Sequence, residues 1–474
     1  MATATQGVRT THPDYDRLFP KWKRCSDVVD GQDAMRGAGE AYLPKLRDEE
    51  PNDYSARLKR SDFFNATWRT IAGLSGMAFR KPPVFDLPAG IEPFLPDINL
   101  AGRSLDDMAK GMVEDALEYG VFGLLVDHPA APENVSGITV AAKEALGLRP
   151  SIQYYPIRSV INWRYTRVGS KTVLAMVVLK ESAQVREDEF SHKSEDRYRV
   201  LDLDGAGYYR QRLFRIDDKG KDEQVGGDIY PLMNGKPMAA IPFRIVGEID
   251  EPPLIDLVDA NVAHYQINSD YRHGLHFTAL PTLFVAGVQL ENNQSFHIGS
   301  TAAVVAPDPQ AKAQFIEFTG QGMGAIEKAL LGLEQRMAIL GARMVADETR
   351  QAETLGATQI KRSGENSVLA DIVIGVSDAI EWALGIFAEW AGQKGKVSYQ
   401  INREFAPAMM DAQTLTALVG AVQAGKISDR EFFDLMQRGD VIDAAKDFKE
   451  HQAEVDLQGP TKPVVPANDG QQAA

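Results

Sequence analysis

The sequence predicts an α+β chain, with helical thirds on either side of a β-rich middle. Three observations carry that reading. Apolar residues recur every three or four positions in several segments of the first and last thirds. Short apolar runs separated by glycine-bearing turns fill residues 149–247, as in an antiparallel meander. A polar stretch, residues 347–365, separates two long helical patterns, and polar inserts of about twenty residues inside a compact chain are usually functional or disordered.

Taken in order, residues 1–50 are polar, and Pro13, Pro20 and Pro44 interrupt any long periodicity, so an irregular entry is expected. The first helix is expected over residues 53–79, where Phe63, Thr67, Ile71, Leu74 and Ala78 share a face, and Lys81-Pro82-Pro83 ends it. The sequon Asn65-Ala66-Thr67 falls inside that helix and is set aside as a glycosylation site. Ser104 stands three residues before Asp107 as in a capping box, Leu105, Met108, Met112, Ala116 and Leu117 form the buried stripe that follows, and Gly120 suits the C-cap. The run Val121-Phe122-Gly123-Leu124-Leu125-Val126, closed by Asp127-His128-Pro129, reads as a buried strand.

Strands are next expected at residues 152–155, 172–179, 198–203, 208–216 and 241–246, with the charged run Arg186-Glu187-Asp188-Glu189 as a solvated loop. Pro252-Pro253 opens a helix to about residue 277 with Leu254, Val258, Val262 and Tyr265 on one face. Four β-like runs follow at 282–286, 295–298, 302–306 and 314–319. A helix over residues 324–345 then places Ile326, Leu330, Leu333, Met337, Leu340 and Met344 at alternating spacings of four and three, a heptad-like seam for lengthwise packing against a neighbour, or else the stripe of an ordinary core helix. A third long helix over 367–390 carries Leu369, Val373, Val376, Ile380, Leu384 and Phe387. A helical pair at 411–437 precedes a Pro-, Gly- and Gln-rich tail expected to be disordered.

Composition narrows the function. The 474 residues are 44% hydrophobic and 25% charged, ordinary for a folded chain of several units. The single cysteine, Cys25, excludes an intrachain disulfide or a Cys-type zinc site and favours a reducing compartment. No signal segment and no run of about 18 apolar residues is visible, so no membrane association is expected. With 51 basic against 66 acidic residues the formal charge is −15, which disfavours a broad electrostatic grip on nucleic acid but not a nucleic acid that must pass without sticking.

Motifs for chemistry fail one by one, and no catalytic residue, metal site or cofactor is expected. Gly420-Ala421-Val422-Gln423-Ala424-Gly425-Lys426 resembles a phosphate-binding loop, but Ile427 stands where a magnesium-binding hydroxyl belongs. Leu415, Leu418, Val419 and Val422 make the preceding segment a helix, and Ser428 with Glu431 a second capping box, so a helix-turn-helix hairpin is expected. Gly320-Gln321-Gly322-Met323-Gly324-Ala325 has the outline of a dinucleotide fingerprint, yet no second strand ending in an acid follows. Asp270, His273 and His276 could share a helix face, but a lone His-x-x-His lacks a ligand set. Cys25 has no partner base.

The order of elements resembles that of the portal, or head-to-tail connector, proteins of tailed bacteriophages, and more closely a phage-encoded portal-like family labelled a domain of unknown function. The resemblance covers residues 42–441. It is carried by Phe64-Asn65-Ala66-Thr67, Gly76-Met77-Ala78-Phe79-Arg80-Lys81-Pro82-Pro83, Ala116-Leu117-Glu118-Tyr119-Gly120 and Glu353-Thr354-Leu355-Gly356-Ala357-Thr358. It implies a portal fold: a wing over 1–250 with helical and antiparallel β parts, a two-helix stem at 251–277 and 323–346, a small β clip at 278–322, a tunnel loop at 347–365, a long wing helix and following strand at 366–404, a short helical crown at 405–456 and a disordered tail at 457–474.

By the same resemblance the function is a homo-oligomeric ring of about twelve subunits at the capsid vertex of the virion. Double-stranded DNA enters and leaves through it, the terminase large subunit docks on it first and a head-tail adaptor protein later, and a major capsid or scaffolding protein surrounds it. Assembly would take place in the host bacterial cytoplasm. Thr354, Gln359, Lys361 and Arg362 would face the DNA, unless the two cations pair with Glu365 or Asp347. Glu291, Asn292 and Asn293 would dock partners at the clip, and Ile326, Leu330, Leu333, Met337, Leu340 and Met344 would pack subunits together. Another head-tail adaptor or minor head protein remains the alternative, and a nucleotide-binding enzyme a remote one. If the seam joins subunits, glutamate at Met337 or Leu340 is expected to prevent ring formation, checked by native mass.

Overall fold

The structure, a computed structural model, describes residues 7–129, 147–278, 282–286, 310, 312–316, 322–344, 367–405, 412–423, 426–438, 441–442 and 446–458. The chain is mixed α+β, as expected. Its entry is not irregular: Pro13–Asp30 forms helix α1 and Gln32–Ala38 forms α2. Pro13 occupies the first turn, where its missing N–H costs nothing, and His12 Nδ1 accepts the free N–H of Asp14. Pro20 lies inside α1 and removes one helical bond, a loss offset by complete burial of Leu18, Trp22, Cys25 and Val28. Burial also pushes the Cys25 thiol up to about 12, so it is no nucleophile near neutral pH.

The helix expected over 53–79 is two helices, α3 (Pro51–Arg60) and α4 (Ala66–Ala78). The expected stripe lies beyond Arg60, with Phe63 in the break and Thr67, Ile71, Leu74 and Ala78 on α4, so it carried no information on α3. Ser61 stops α3, its Oγ donating to Arg57 O at 2.9 Å, and Asn65 starts α4, its side chain accepting from Trp68 N at 2.9 Å. Helix α5 (Leu105–Tyr119) has the expected ends: Ser104 Oγ accepts from Asp107 N at 3.1 Å, and Gly120 is left-handed at φ 80°.

Strand β1 (Val84–Asp86) precedes α5, and the buried strand β2 (Val121–Asp127) follows it. β2 is the centre of an antiparallel three-stranded sheet, with β3 (Ser151–Pro156) on one side and a later strand, Phe243–Gly247, on the other. The meander is a separate five-stranded antiparallel sheet in sequence order: β4 (Val160–Val168), β5 (Lys171–Arg186), β6 (His192–Leu203), β7 (Tyr209–Ile216) and β8 (Asp222–Ile229). β4 and β8 escaped the sequence reading because their outer residues are polar and exposed. A short hairpin, β9 (Leu232–Met233) and β10 (Lys236–Pro237), leads to β11 (Phe243–Gly247). The two sheets are tied by side chains: Gln211 donates to Asp127 at 2.6 Å, while Arg199 and Tyr155 both donate to Glu181, at 2.7 and 2.8 Å.

Two apolar cores result. One gathers α1 with both sheets. The other gathers α4, α5 and β2 around the long helix of residues 368–390. A buried ion pair locks the loop before α3: Arg57 donates to both oxygens of Glu49 at 2.8 Å and to Pro44 O at 2.8 Å, with side chains only 2% and 6% exposed. Hydrogen bonds from Arg57 hold the Glu49 carboxyl down at about 2. Because the folded value lies below the unfolded one, the pair's contribution is complete above about pH 4.5 and lost as pH falls toward 2. Arg57→Ala is expected to cost about 3 kcal/mol in urea unfolding, because it strands a buried carboxylate. Glu49→Gln is expected to flatten the loss of thermal stability between pH 5 and 2.

Candidate functional site

The segment singled out by the sequence folds as a helical hairpin rooted in the body. Helix α6 (Ile255–Thr278) leads to β12 (Thr282–Ala286), which pairs antiparallel with β13 (Lys312–Ile316), and α7 (Met323–Arg343) returns along α6. Of the four expected β runs, the first is β12 and the last begins slightly earlier than expected, as β13; residues 295–298 and 302–306 lie outside the described residues. The helices run antiparallel, since His264 of α6 meets Glu334 of α7 at 3.4 Å while Gly274, further along α6, meets Met323, earlier in α7. A Cβ on Gly274 would stand 2.8 Å from Met323 Sδ, so the glycine leaves room for that side chain.

α6 is anchored by polar groups. Asn261, fully buried, accepts through Oδ1 from Ala66 N at 3.1 Å, Thr67 N at 3.1 Å and Thr67 Oγ1 at 3.0 Å, and donates through Nδ2 to Phe64 O at 2.8 Å. It thus caps α4 from another element, beside Asn65, which takes the next N–H. Further out, Ser269 Oγ meets Ser61 Oγ at 2.8 Å, Asn268 donates to Asp62 O and Arg272 to the Asp62 carboxylate, both at 2.7 Å. Asn261 was missed in the sequence reading. Its signal is an amide set between Val258, Val262 and Tyr265 on an apolar face.

α7 uses its seam inside the chain. Leu330, Met337 and Met344 are buried, Met337 and Met344 belong to the main core, Leu340 packs against it, and Ile326 and Leu333 are half-buried. The expectation tied to glutamate at Met337 therefore changes: at 2% exposure the charge would enter the chain's own core before it could report on any neighbour. The other side of α7 exposes Lys328, Leu331, Arg336, Ile339 and Arg343.

The end of α7 and the start of the next helix lie side by side. Leu369 N donates to Met344 O at 3.1 Å, joining the end of α7 to the start of α8 (Val368–Trp390), whose N-cap is Ser367. Thr354, Gln359, Lys361 and Arg362 belong to the intervening residues, which lie outside the described ones, as do Glu291, Asn292 and Asn293. α8 is buried along Leu369, Val373, Val376, Ile380, Leu384 and Phe387 as expected, and β14 (Ser398–Gln400) then pairs with β1.

The rejected chemistry fares as follows. The phosphate-loop-like run closes helix α9 (Ala412–Gln423), Lys426 N donates to Ala421 O at 3.0 Å, and the Ser428–Glu431 capping box opens α10 (Asp429–Arg438) at 3.2 and 3.0 Å. Helix α11 (Phe448–Gln458) runs a residue past the expected start of the tail. The strand before the glycine-rich turn, β13, has only an antiparallel partner among the described residues, so no βαβ unit is formed there. Burial, then the Arg60 and Arg57 guanidiniums, pull the His273 imidazole below its ordinary value, and Arg60 stands 3.4 Å from His276 Nε2, surroundings that oppose a cation. Among the described residues no group of three His, Cys, Asp or Glu side chains is placed to hold a metal, and no helix is long and apolar enough to cross a membrane.

Residues 253–391, the hairpin through α8, match a family model described as a domain of unknown function, DUF4055. No curated protein matches the chain. Among solved structures the chain is similar to one from "Neck of empty GTA particle computed with C6 symmetry", at 13% identity and TM-score 0.41, covering 86% of this chain and 98% of that one. It is also similar to chains from "Virion of native gene transfer agent (GTA) particle" and "Neck of native GTA particle computed with C12 symmetry", each at 12% identity, with TM-scores 0.40 and 0.39, covering 85% of this chain and 98% of those.

Asn261→Ala is expected to cost about 3 kcal/mol, since it leaves the N–H and the hydroxyl of Thr67 buried without that acceptor, while Ala66 N keeps Phe64 O at 2.9 Å. Urea unfolding checks this, and a change below about 1 kcal/mol would remove Asn261 as the anchor.

Proposed function

We propose that the chain is one subunit of a portal: a ring at a capsid vertex through which double-stranded DNA is packaged and released. The observation that supports it most directly is the antiparallel helical hairpin, carrying a β ribbon at its far end and followed by a long excursion whose two ends meet at Met344 and Leu369. In this reading α6 and α7 are the stem, residues 278–322 the clip and residues 347–365 the tunnel loop. The wing is the two sheets with α1–α5, and α9–α11 form the short crown.

Lys361 and Arg362, with Thr354 and Gln359, face the DNA backbone in this reading, and the clip residues Glu291, Asn292 and Asn293 meet the terminase large subunit and later the head-tail adaptor. The exposed cations Lys328, Arg336 and Arg343 of α7 join the candidates for facing the channel. Subunit contact moves from the seam, which the chain uses itself, to exposed surface such as Leu331 and Ile339, which are 54% and 56% exposed. The chain works by geometry and holds no cofactor.

Native mass spectrometry with negative-stain imaging of the purified protein tests this. A closed ring of about twelve subunits with a central hole is expected. A chain that stays monomeric at high concentration, also when co-expressed with its capsid proteins, would overturn the portal reading in favour of an adaptor.

A further inference from the structure

The five-stranded sheet is uneven in width. β4 pairs with β5 only as far as Leu179, and β7 pairs with β6 only from Arg197 onward. Residues 182–186 and 192–196 therefore have only each other and project as a two-stranded arm. Such a ribbon has little stability of its own in water. Its tip is nevertheless built. Asp188 Oδ1 accepts from Phe190 N at 2.7 Å and Ser191 N at 2.8 Å, Asp188 Oδ2 accepts from Ser191 Oγ at 2.7 Å, and Glu187 N reaches Ser191 O at 3.1 Å. These bonds hold Phe190 at the tip, 87% exposed, with Glu187 and Glu189 beside it. An ordered tip presenting an exposed aromatic ring has the form of an anchor.

A receptor of matching chemistry lies at the opposite end of the same sheet. The β9–β10 hairpin turns through Asn234 and Gly235, at φ 51° and 74°, and Trp390 Nε1 ties it to α8 by donating to Leu232 O at 2.8 Å. Between them is a cleft of about 580 Å³ lined by Met233, Asn234, Lys236, Pro237, Met238 and Glu389. Exposed Ile229, Tyr230 and Leu232 continue the apolar surface next to it. Tyr209 N donates to Met238 O at 2.8 Å, which fixes the cleft beside the end of the sheet where Leu203 pairs with Tyr209. β6 runs from His192 at the arm to Leu203 at that end, about 35 Å at 3.3 Å per residue, so Phe190 cannot reach the cleft of its own chain.

We propose that Phe190 of one subunit inserts into the Met233–Met238 cleft of the next copy of this chain. This rests on the portal reading and names a contact that holds the ring together. The surfaces joined are different, and a contact between unlike patches repeats head to tail and closes into a ring where the rotation allows. Methionine walls adapt to an entering ring. Lys236 at the rim complements Glu187 and Glu189 at the tip, and Lys193 on the arm complements Glu389.

The test is the double variant Glu189→Cys/Ala239→Cys in the full chain, which keeps the Phe190 ring and pairs its neighbour with a residue lining the cleft, oxidised under mild conditions and run without reductant. Cys25, fully buried, does not compete. A ladder of dimers, trimers and higher species is expected, whereas either single variant stops at dimers. Phe190→Ala, an exposed site that leaves the fold intact, is expected to raise the concentration for half-assembly about tenfold or more. Ring-sized particles of the double variant that give no ladder overturn this contact and leave the ring standing. A wild-type chain that forms no ring, also with its capsid proteins, overturns the portal reading and the contact with it.

Discussion

A buried amide clasps α6 to the start of α4, at the root of the helical hairpin. Asn261 sits on α6, yet its bonds are spent on the start of α4, where Ala66 and Thr67 present N–H groups that no helical carbonyl can take. The local cap, Asn65, takes only the N–H of Trp68. Neither element is complete alone: α4 needs an acceptor from α6, and the Asn261 amide, once buried, needs the donors of α4 and the carbonyl of Phe64. Because the geometry of several short bonds is specific, the clasp sets how the hairpin leaves the body. Ser61 and Asp62, in the break between α3 and α4, then repeat the pattern further out with Ser269, Asn268 and Arg272 of α6.

The same economy appears at the base of α7. Met344 and Leu369 are hydrogen-bonded, Met337 and Met344 are buried in the core that α8 organises, and Gly341 lets α7 approach Thr70 of α4, where a Cβ would stand 3.1 Å from the Thr70 methyl. The excursion between these anchors therefore begins and ends at a fixed place. Lengthening such a loop costs little free energy once its ends are held, since the closure cost grows only with the logarithm of length. The residues of the excursion are thus free to be chosen for what they touch rather than for what they stabilise. That separation suits a polar segment such as Gln351 to Arg362, in which Leu355 and Ile360 are the large apolar residues.

Much of this was legible in the sequence where local rules and burial agree. α5 shows its capping box, its apolar stripe and its terminal glycine, β2 is a bare apolar run, and α8 is a six-residue stripe closed by Ser367. The failures have physical causes. Pro13 and Pro20 hid α1 because proline was weighed as a breaker, although the first is at a helix start and burial of Trp22 and its neighbours outweighs the second. The break at Ser61 was hidden because the stripe that was read, Phe63 to Ala78, begins after it. The seam on α7 was visible as a stripe, but a stripe does not say what it packs against: the answer, the chain's own core, depends on where α4, α6 and α8 come to lie. Asn261 was illegible for the same reason, since its partners lie nearly two hundred residues away.

Charge poses the last constraint on the portal reading. A wall that passes DNA must be wetted by a polyanion without holding it, because every Lys or Arg on a phosphate displaces counterions and must be released at the next step. A chain with 66 acidic and 51 basic residues meets the requirement on average, but averages do not slide. What matters is the local pattern. On α7 the exposed Lys328, Arg336 and Arg343 alternate with the exposed acids Glu327 and Glu334, one of which is shared with His264. Neither acid stands three or four residues from a cation, the spacing at which charges on one helix pair, and screened surface charges of this kind interact only over about one Debye length. In the portal reading, such helices repeated around a ring would offer a phosphate many equivalent weak contacts in place of a few strong ones, so that moving from one to the next would change the energy little.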